Sequence, residues 1–368
     1  MGILVVNDLV KRFGSFTAVK KITVEMAKGE VCTLLGPSGC GKTTTLRCIA
    51  GLETFDSGSV SLDGKLLADP AKGIFVPPEE RNLGMVFQSY ALWPHKTVAE
   101  NVSLGLKIKH VSTSEIRGRV ADVLKMVGME GTEKRFPASL SGGQQQRVSL
   151  ARALILEPMC LLFDEPLSNL DMLLRERMRF EIRELLVKLG ITAVYVTHDQ
   201  SEAMVISDHI VVMNEGAVKQ EGAPVDIYTK PRTRFAAEFL GRANLLPVDR
   251  AASAPVEGRV AITNGHVFES TEAARLTESD EKMLVAFRPE MARLVAVGEN
   301  PTNAFDAKVC SASFLGAQTQ LELDFSGHDI NVLVPGHYQA SVGETVRAAI
   351  NPENVLVIID DDSEVGLD

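Results

Sequence analysis

Long apolar runs are missing from this chain of 368 residues. No stretch approaches the roughly 18 consecutive apolar residues of a membrane-spanning helix, so the chain itself is not expected to cross a bilayer. Its first residues, Met1-Gly-Ile-Leu-Val-Val-Asn-Asp8, lack the basic start and long apolar core of a secretory signal. Gly2 suits N-myristoylation, but Val6 sits where that motif has Ser or Thr, so the anchor is not expected. Cysteine is scarce: there are five thiols, Cys32, Cys40, Cys48, Cys160 and Cys310, and no CxxC pair. An odd number at such spacings fits reduced, mostly buried thiols better than disulfides or a zinc site. Positive charge is in deficit too. Lys and Arg number 38 against 48 Asp and Glu, a net charge of −10, so nothing overall attracts a nucleic-acid backbone. What is present is an ordinary globular balance, 45% hydrophobic and 23% charged, with length enough for two domains. A cytosolic setting is the expectation.

The first part of the chain alternates short apolar runs with helical segments, the pattern of an α/β domain. Residues 31–35, 84–87, 159–163 and 193–197 are predicted as buried strands. Residues 173–189, rich in Leu, Met, Glu and Arg, are predicted as a helix with Gly190 as its C-cap. Hairpins are expected at Asp63-Gly64 and at Asn214-Glu215-Gly216. From about Leu245 helical periodicity fades, and short β-type runs separated by Gly, Asn, Asp and Pro take over. Here Ala286-Phe-Arg-Pro-Glu290 before Leu294-Val295 is echoed by Ala349-Ile-Asn-Pro-Glu353 before Val357-Ile358. The echo reads either as a duplicated β-unit or as a coincidence between two strand ends. The acidic tail after Asp360 is expected to fray.

Gly36-Pro37-Ser38-Gly39-Cys40-Gly41-Lys42-Thr43 fits G-x-x-x-x-G-K-[ST], directly after a predicted strand and before a helical run. The glycines let backbone N–H groups converge on phosphate oxygens, and the following helix presents its positive end to them. Lys42 is expected to bridge the terminal phosphates and the Thr43 hydroxyl to ligate Mg²⁺. An apolar strand ending in a carboxylate places Asp164 beside that metal. The adjacent Glu165 is then the natural general base for an attacking water, although paired acids after a strand also occur as helix-start or loop charges. Cys40 lies inside the phosphate loop, either as a bystander or as a source of thiol sensitivity.

Leu140-Ser141-Gly142-Gly143-Gln144-Gln145-Gln146-Arg147 opens a further helical pattern just upstream of Asp164. By itself it is a Ser-Gly-Gly turn at a helix N-terminus, an anion site without its own lysine. Together with the phosphate loop and the Asp164-Glu165 pair, it resembles the signature of the ABC ATPase family, and the likeness covers about residues 4–240. The resemblance implies further roles. Phe13 stands where the family stacks an aromatic on adenine, joining Gly36 to Thr44 as the nucleotide-binding set. Gln88 matches the glutamine that touches Mg²⁺ and the attacking water, and His198 matches the histidine at the γ-phosphate. Ser168-Asn169-Leu170-Asp171 resembles the loop that communicates across a dimer, with Asn169 in place of the commoner small residue. Hydrolysis is thus assigned to Lys42, Gln88, Glu165 and His198, with metal ligation by Thr43, Gln88 and Asp164. Ser141, Gly142, Gly143 and Gln144 are expected to act in trans on ATP held by a second copy of the chain.

Gln88-Ser-Tyr-Ala-Leu92-Trp93-Pro-His95 is similar to the segment that receives membrane permease subunits in the importer branch. It contains the single tryptophan, an aromatic suited to docking, although Leu92 and Trp93 also suit simple packing of a helical lobe. Gly241-Arg-Ala-Asn-Leu-Leu246 and Phe287-Arg-Pro-Glu290 resemble the small OB-like regulatory domain of importer ATPases. An OB-like barrel also suits nucleic-acid binding, a reading the acidic charge disfavours. The expected architecture is an α/β P-loop NTPase of ABC type at 4–238 with an inserted helical subdomain at about 90–158. An all-β OB-like C-terminal domain follows at 239–360, then an acidic tail at 361–368. The implied function is ATP hydrolysis at the cytoplasmic face of the inner membrane, driving import through separate permease subunits and, indirectly, a solute-binding protein. Arg47-Cys-Ile-Ala-Gly51 and the Trp93 segment resemble iron(III)-type and polyamine-type importers, with sugars and phosphonates close behind. The competing class is an ABC ATPase acting on nucleic acid or ribosomes without a permease.

Overall fold

The computed structural model describes residues 2–277 and 281–361. The acidic tail beyond Asp361 therefore lies outside the described residues. Two compact units meet between Pro224 and Val225. In the first, β1 (Leu4–Phe13) and β2 (Phe16–Met26) form a hairpin, and β3 (Val31–Leu35) leads into α1 (Lys42–Ala50). Strands β4 (Ser57–Leu62), β5 (Lys65–Asp69), β6 (Ile74–Phe75) and β7 (Leu83–Val86) follow. Helices α2 (Val98–Ile108), α3 (Thr113–Met126) and α4 (Gly142–Leu154) make the inserted lobe. The unit closes with β8 (Cys160–Asp164), α5 (Met172–Leu189), β9 (Thr192–Thr197), α6 (Gln200–Ile206), β10 (His209–Asn214) and β11 (Ala217–Gly222).

A six-stranded sheet runs β11-β10-β3-β9-β8-β7, parallel except for the edge strand β11. Every residue of β3, β8 and β9 is buried, which is why these strands read as unbroken apolar runs. Their side chains alternate between two cores. Val31, Leu161, Phe163, Ala193 and Tyr195 face the core shared with α2 to α5. Cys32, Leu34, Cys160, Leu162, Val194 and Val196 face the one shared with α1 and the antiparallel sheet β2-β1-β4-β5-β6. Both expected hairpins turn on consecutive left-handed residues, Asp63-Gly64 and Glu215-Gly216, the geometry that matches strand twist. Helix α5 ends at Gly190 in the left-handed region. All connections that matter to the site leave the carboxyl ends of β3, β7, β8 and β9, where open α/β sheets bind ligands.

In the second unit, α7 (Pro224–Thr229) and α8 (Arg234–Phe239) precede β12 (Asn244–Ala254), β13 (Arg259–Ile262), β14 (Val267–Glu269) and β15 (Met283–Phe287). Strands β16 (Ala292–Leu294), β17 (Ala304–Phe314), β18 (Gln318–Phe325), β19 (His328–Pro335), β20 (Thr345–Ile350) and β21 (Leu356–Ile359) complete it. Sheets β14-β13-β12-β15-β21 and β16-β20-β17-β18-β19 share one core that includes Phe268, Phe287, Phe305 and Phe325. The sequence echo corresponds to a repeated structural unit. Strand, 3₁₀ turn and strand recur as β15, Pro289–Met291, β16 and as β20, Pro352–Asn354, β21. The two copies pair crosswise, β15 with β21 and β16 with β20, both antiparallel.

The division at Pro224 falls earlier than the boundary expected at 238, because α7 and α8 are held to the β-rich unit by main-chain pairing at Ile359, by the packing of Ala237 with Leu284 and Ile358, and by Arg288. This arginine is 3% exposed. Its Nη1 donates to the carbonyls of Ala237 at 2.6 Å, Gly241 at 2.9 Å and Arg242 at 3.1 Å, and its guanidinium lies 4.4 Å from the Tyr228 ring centre. Arg288→Ala leaves those buried carbonyls unpaired, so it is expected to destabilise the second unit by about 3 kcal/mol in urea unfolding. An unchanged transition midpoint would contradict this role.

Candidate functional site

The loop between β3 and α1 is shaped by close main-chain packing. Gly36 has no room for a Cβ, which would collide with the Met213 carbonyl and with Cys40 Sγ. Gly41 has φ +99° and lies against the Ala18 carbonyl, so both position and backbone require glycine there. Lys42 is 4% exposed, and its amine donates to the carbonyls of Gly36 at 2.7 Å and Pro37 at 2.8 Å. Those bonds hold the cation inside the curve of the loop. Ser38 and Gly39 are exposed at its tip, and Thr43 and Thr44 are half-buried in the first turn of α1.

Asp164 ends β8 and accepts a hydrogen bond from the Thr43 hydroxyl at 3.1 Å. Burial pushes its carboxyl up, while the Thr43 bond and Arg47 pull the other way. Two hard oxygens are thus brought together at the mouth of the phosphate loop, a donor set that suits Mg²⁺. Among the described residues no group of three His, Cys, Asp or Glu is placed to enclose a metal. Mg²⁺ is habitually bound by one or two protein oxygens together with substrate phosphates, and the residues present fit that arrangement.

Glu165 takes a left-handed backbone, φ 44°, uncommon outside glycine. The conformation is held by its own N–H, which donates to the Val196 carbonyl at 3.0 Å, and by Ser168 Oγ, which donates to the Glu165 carbonyl at 2.9 Å. His198 follows β9, and its Nδ1 lies 3.2 Å from Glu165 Oε2. The sequence assigned both residues separately; their pairing is a finding of the structure. Gln88 is exposed just beyond β7, and its carbonyl accepts from Asn169 Nδ2 at 2.7 Å. The residue that departs from the family's usual small side chain therefore ties its loop to the Gln88 segment. Asp171 caps α5, accepting from the Leu174 N–H at 3.0 Å. Phe13 is 48% exposed at the end of β1, with Lys11 Nζ 4.6 Å from its ring centre.

Ser141 is the N-cap of α4. Its hydroxyl accepts from the Gln144 N–H at 3.4 Å, and Gln144 Oε1 accepts from the Ser141 N–H at 3.1 Å, a reciprocal capping box. Beside it stand Gly128, Arg147, Leu174 and Glu181, and Gly142 and Gly143 pack against Leu170 and Leu174. No residue of the phosphate loop lines this surface.

The Gln88–His95 segment is braced by residues the sequence did not single out. Tyr90 and Ala91 are both left-handed, φ 60° and 50°. Ser149 Oγ donates to the Tyr90 carbonyl at 3.0 Å, and Arg152 donates to the carbonyls of Tyr90 and Ala91. Buried Asn101 accepts from the Trp93 N–H at 2.7 Å and donates to the carbonyls of Trp93, Lys96 and Thr97. A polar residue between the apolar Val98 and Val102 of α2 was the only available signal. Leu92 packs into the helical-lobe core, whereas Trp93 remains 46% exposed beside His95 and Lys96.

Cys32, Cys40, Cys48 and Cys160 are buried and free, and Cys310 is exposed. Burial pushes the Cys40 thiol up despite the pull of Lys42, which disfavours the reactive thiolate. Thiol titration of the folded chain is expected to show one fast group, Cys310, with Cys40 reacting only on unfolding. Rapid loss of a second thiol would contradict that assignment.

The fold and site together define a P-loop nucleoside triphosphatase carrying a second, signature-type helix N-terminus. Residues 19–168 match the ABC transporter family and residues 285–358 the TOBE domain. The chain is 42% identical, over 96% of its length and 97% of the relative's, to the Fe(3+) ions import ATP-binding protein FbpC of Escherichia coli K12. The protein of that name from Agrobacterium fabrum is 43% identical, over 88% of each chain. Among solved structures, cbiO1 of Clostridium perfringens, part of the ABC transporter complex cbiONQ, matches with a TM-score of 0.55 at 32% identity. That match covers 62% of this chain and 90% of cbiO1. The chain belongs to the ATP-binding proteins of ABC importers, with an OB-like TOBE domain at its C-terminal side. It is an ATPase coupled to transport and works with membrane permease partners. Among the described residues no helix is long and apolar enough to cross a membrane itself.

Proposed function

We propose that this chain energises iron(III) import by hydrolysing ATP as a homodimer at the cytoplasmic face of the membrane, fed by a solute-binding protein through its permease. The observation that carries the mechanism is the separation of the two anion-binding helix ends. Lys42, Thr43, Asp164, Glu165 and His198 converge at one set of strand ends, while Ser141 to Gln144 face a different neighbourhood on the helical lobe. A signature that does not line its own phosphate loop is suited to close over nucleotide held by a second copy, sandwiching two ATP molecules.

In this reading Gly36 to Thr44 cradle the phosphates, Lys42 turns its amine from loop carbonyls to phosphate oxygens, and exposed Phe13 offers its ring to adenine. Thr43, Asp164 and Gln88 would hold Mg²⁺, which when bound neutralises phosphate charge. Glu165 takes the proton of the attacking water, and His198 holds its carboxylate in place. Asn169 and Asp171 link the dimer loop to the same site. Trp93, on its braced loop, is the contact offered to the permease. ATP supplies contacts in the closed state and hydrolysis removes them, so occupancy shifts the balance between open and closed forms.

Iron(III) as cargo is supported by relatives named for Fe(3+) import that match almost end to end at 41–43% identity. Cells lacking this chain are expected to lose uptake of radiolabelled iron(III), and a Glu165→Gln copy is expected not to restore it. Intact iron uptake alongside a defect for another solute would overturn the cargo assignment.

A further inference from the structure

Arg81 heads the fully buried side chains by size, at 1% exposure. A guanidinium stays charged at physiological pH, and removing it from water is expensive unless its donors are satisfied. Among the described residues no carboxylate bonds to it. Instead Nη1 donates to the carbonyls of Cys48 at 3.1 Å and Ile49 at 2.7 Å, and Nε donates to the Val76 carbonyl at 2.7 Å. Nη2 is buried without a hydrogen-bond partner, and the Phe75 ring centre lies 5.1 Å from the guanidinium carbon.

Cys48 and Ile49 lie in the last turn of α1, whose free carbonyls form the negative end of the helix dipole. Arg81 is therefore a cationic cap for the phosphate-loop helix, delivered from a distant part of the chain. The packing is close: a Cβ on Gly51 would stand 2.5 Å from the guanidinium carbon. Along the chain Arg81 stands two residues before β7, which is paired in parallel with β8 and ends two residues before Gln88. One side chain thus joins the far end of the helix that starts at Lys42 to the segment that runs through β7 to Gln88. Helix α1 has nine residues, about 14 Å at 1.5 Å per residue, so a shift at its phosphate end is carried to its cap with little loss.

We propose that Arg81 is a positioning residue, a strut that couples displacement of the phosphate-loop helix to Gln88 and to the permease-facing segment after it. The proposal rests on the reading of Gln88 given above. Charge-assisted bonds from a planar fork are short and directional. Lysine keeps the charge but cannot hold Val76 and the helix end together in one plane. Arg81→Lys is therefore the informative change.

The test uses the purified full-length chain, with ATP turnover normalised to nucleotide-binding sites so that unfolded molecules do not count. Arg81→Lys is expected to lower kcat about tenfold and to leave ATP affinity within about threefold. In a Gln88→Ala background the same change is expected to cost less than about twofold, because both residues act along one line. Gly51→Ala, which forces the guanidinium aside, is expected to reproduce the kcat loss. The inference is overturned if Arg81→Lys costs the same factor in both backgrounds, or if kcat per binding site is unchanged and only the folded fraction falls. Normal turnover by Gln88→Ala alone overturns the reading of Gln88, and the strut with it.

Discussion

Glu165→Gln is expected to slow ATP turnover by about 1000-fold while leaving ATP affinity within about threefold. The amide keeps the shape of the carboxylate and the left-handed backbone, but it cannot take a proton. His198 then loses an anionic partner at 3.2 Å without losing its place. Steady-state turnover and equilibrium nucleotide binding on the same preparation check both halves. Loss of binding with loss of turnover would show that the change disturbs the loop rather than the chemistry. Turnover above about a tenth of normal would remove Glu165 from the role of base.

Lys42→Ala acts on binding instead. The amine is buried and holds two main-chain carbonyls of the loop. Removing it deletes the principal cation of the site and leaves the Gly36 and Pro37 carbonyls turned inward without a donor. A charge-assisted contact of this kind is worth about 3 kcal/mol, so ATP affinity is expected to fall on the order of 100-fold. Titration with a fluorescent nucleotide measures it. An affinity within threefold of normal would mean that the loop N–H groups and helix α1 bind phosphate without the lysine, roughly erasing its expected contribution.

The parts of this site that were legible in the sequence are those written in local spacing. Gly36 to Thr43 needs only a strand before it and a helix after it, and Asp164-Glu165 needs only the end of an apolar run. The links between them were not legible. Thr43 meets Asp164, Glu165 meets His198, and Asn169 meets Gln88 through pairs far apart in the chain. Nothing in periodicity predicts such contacts. Asn101, Arg152 and Arg81 escaped as well, since each is a polar side chain that bonds main-chain groups, which no periodicity marks. The helices α7 and α8 look like a continuation of the α/β pattern. Contacts far along the chain assign them to the β-rich unit: Arg288 reaches back to Ala237 and Gly241, the Ile359 N–H donates to the Arg232 carbonyl, and Ala237 packs with Leu284 and Ile358. In that unit the echo of strand, Pro-Glu turn and strand was visible in the sequence. Its crosswise pairing required the sheet register.

The central claim, a signature acting in trans, is tested most directly by the solution mass of the Glu165→Gln chain with and without ATP in the absence of Mg²⁺. A chain of 39.9 kDa is expected to double its mass only when ATP is present, and to stay single when Ser141→Arg is added to block the signature. A mass that remains that of one chain while ATP is bound, or that doubles equally with Ser141→Arg, would contradict the nucleotide sandwich.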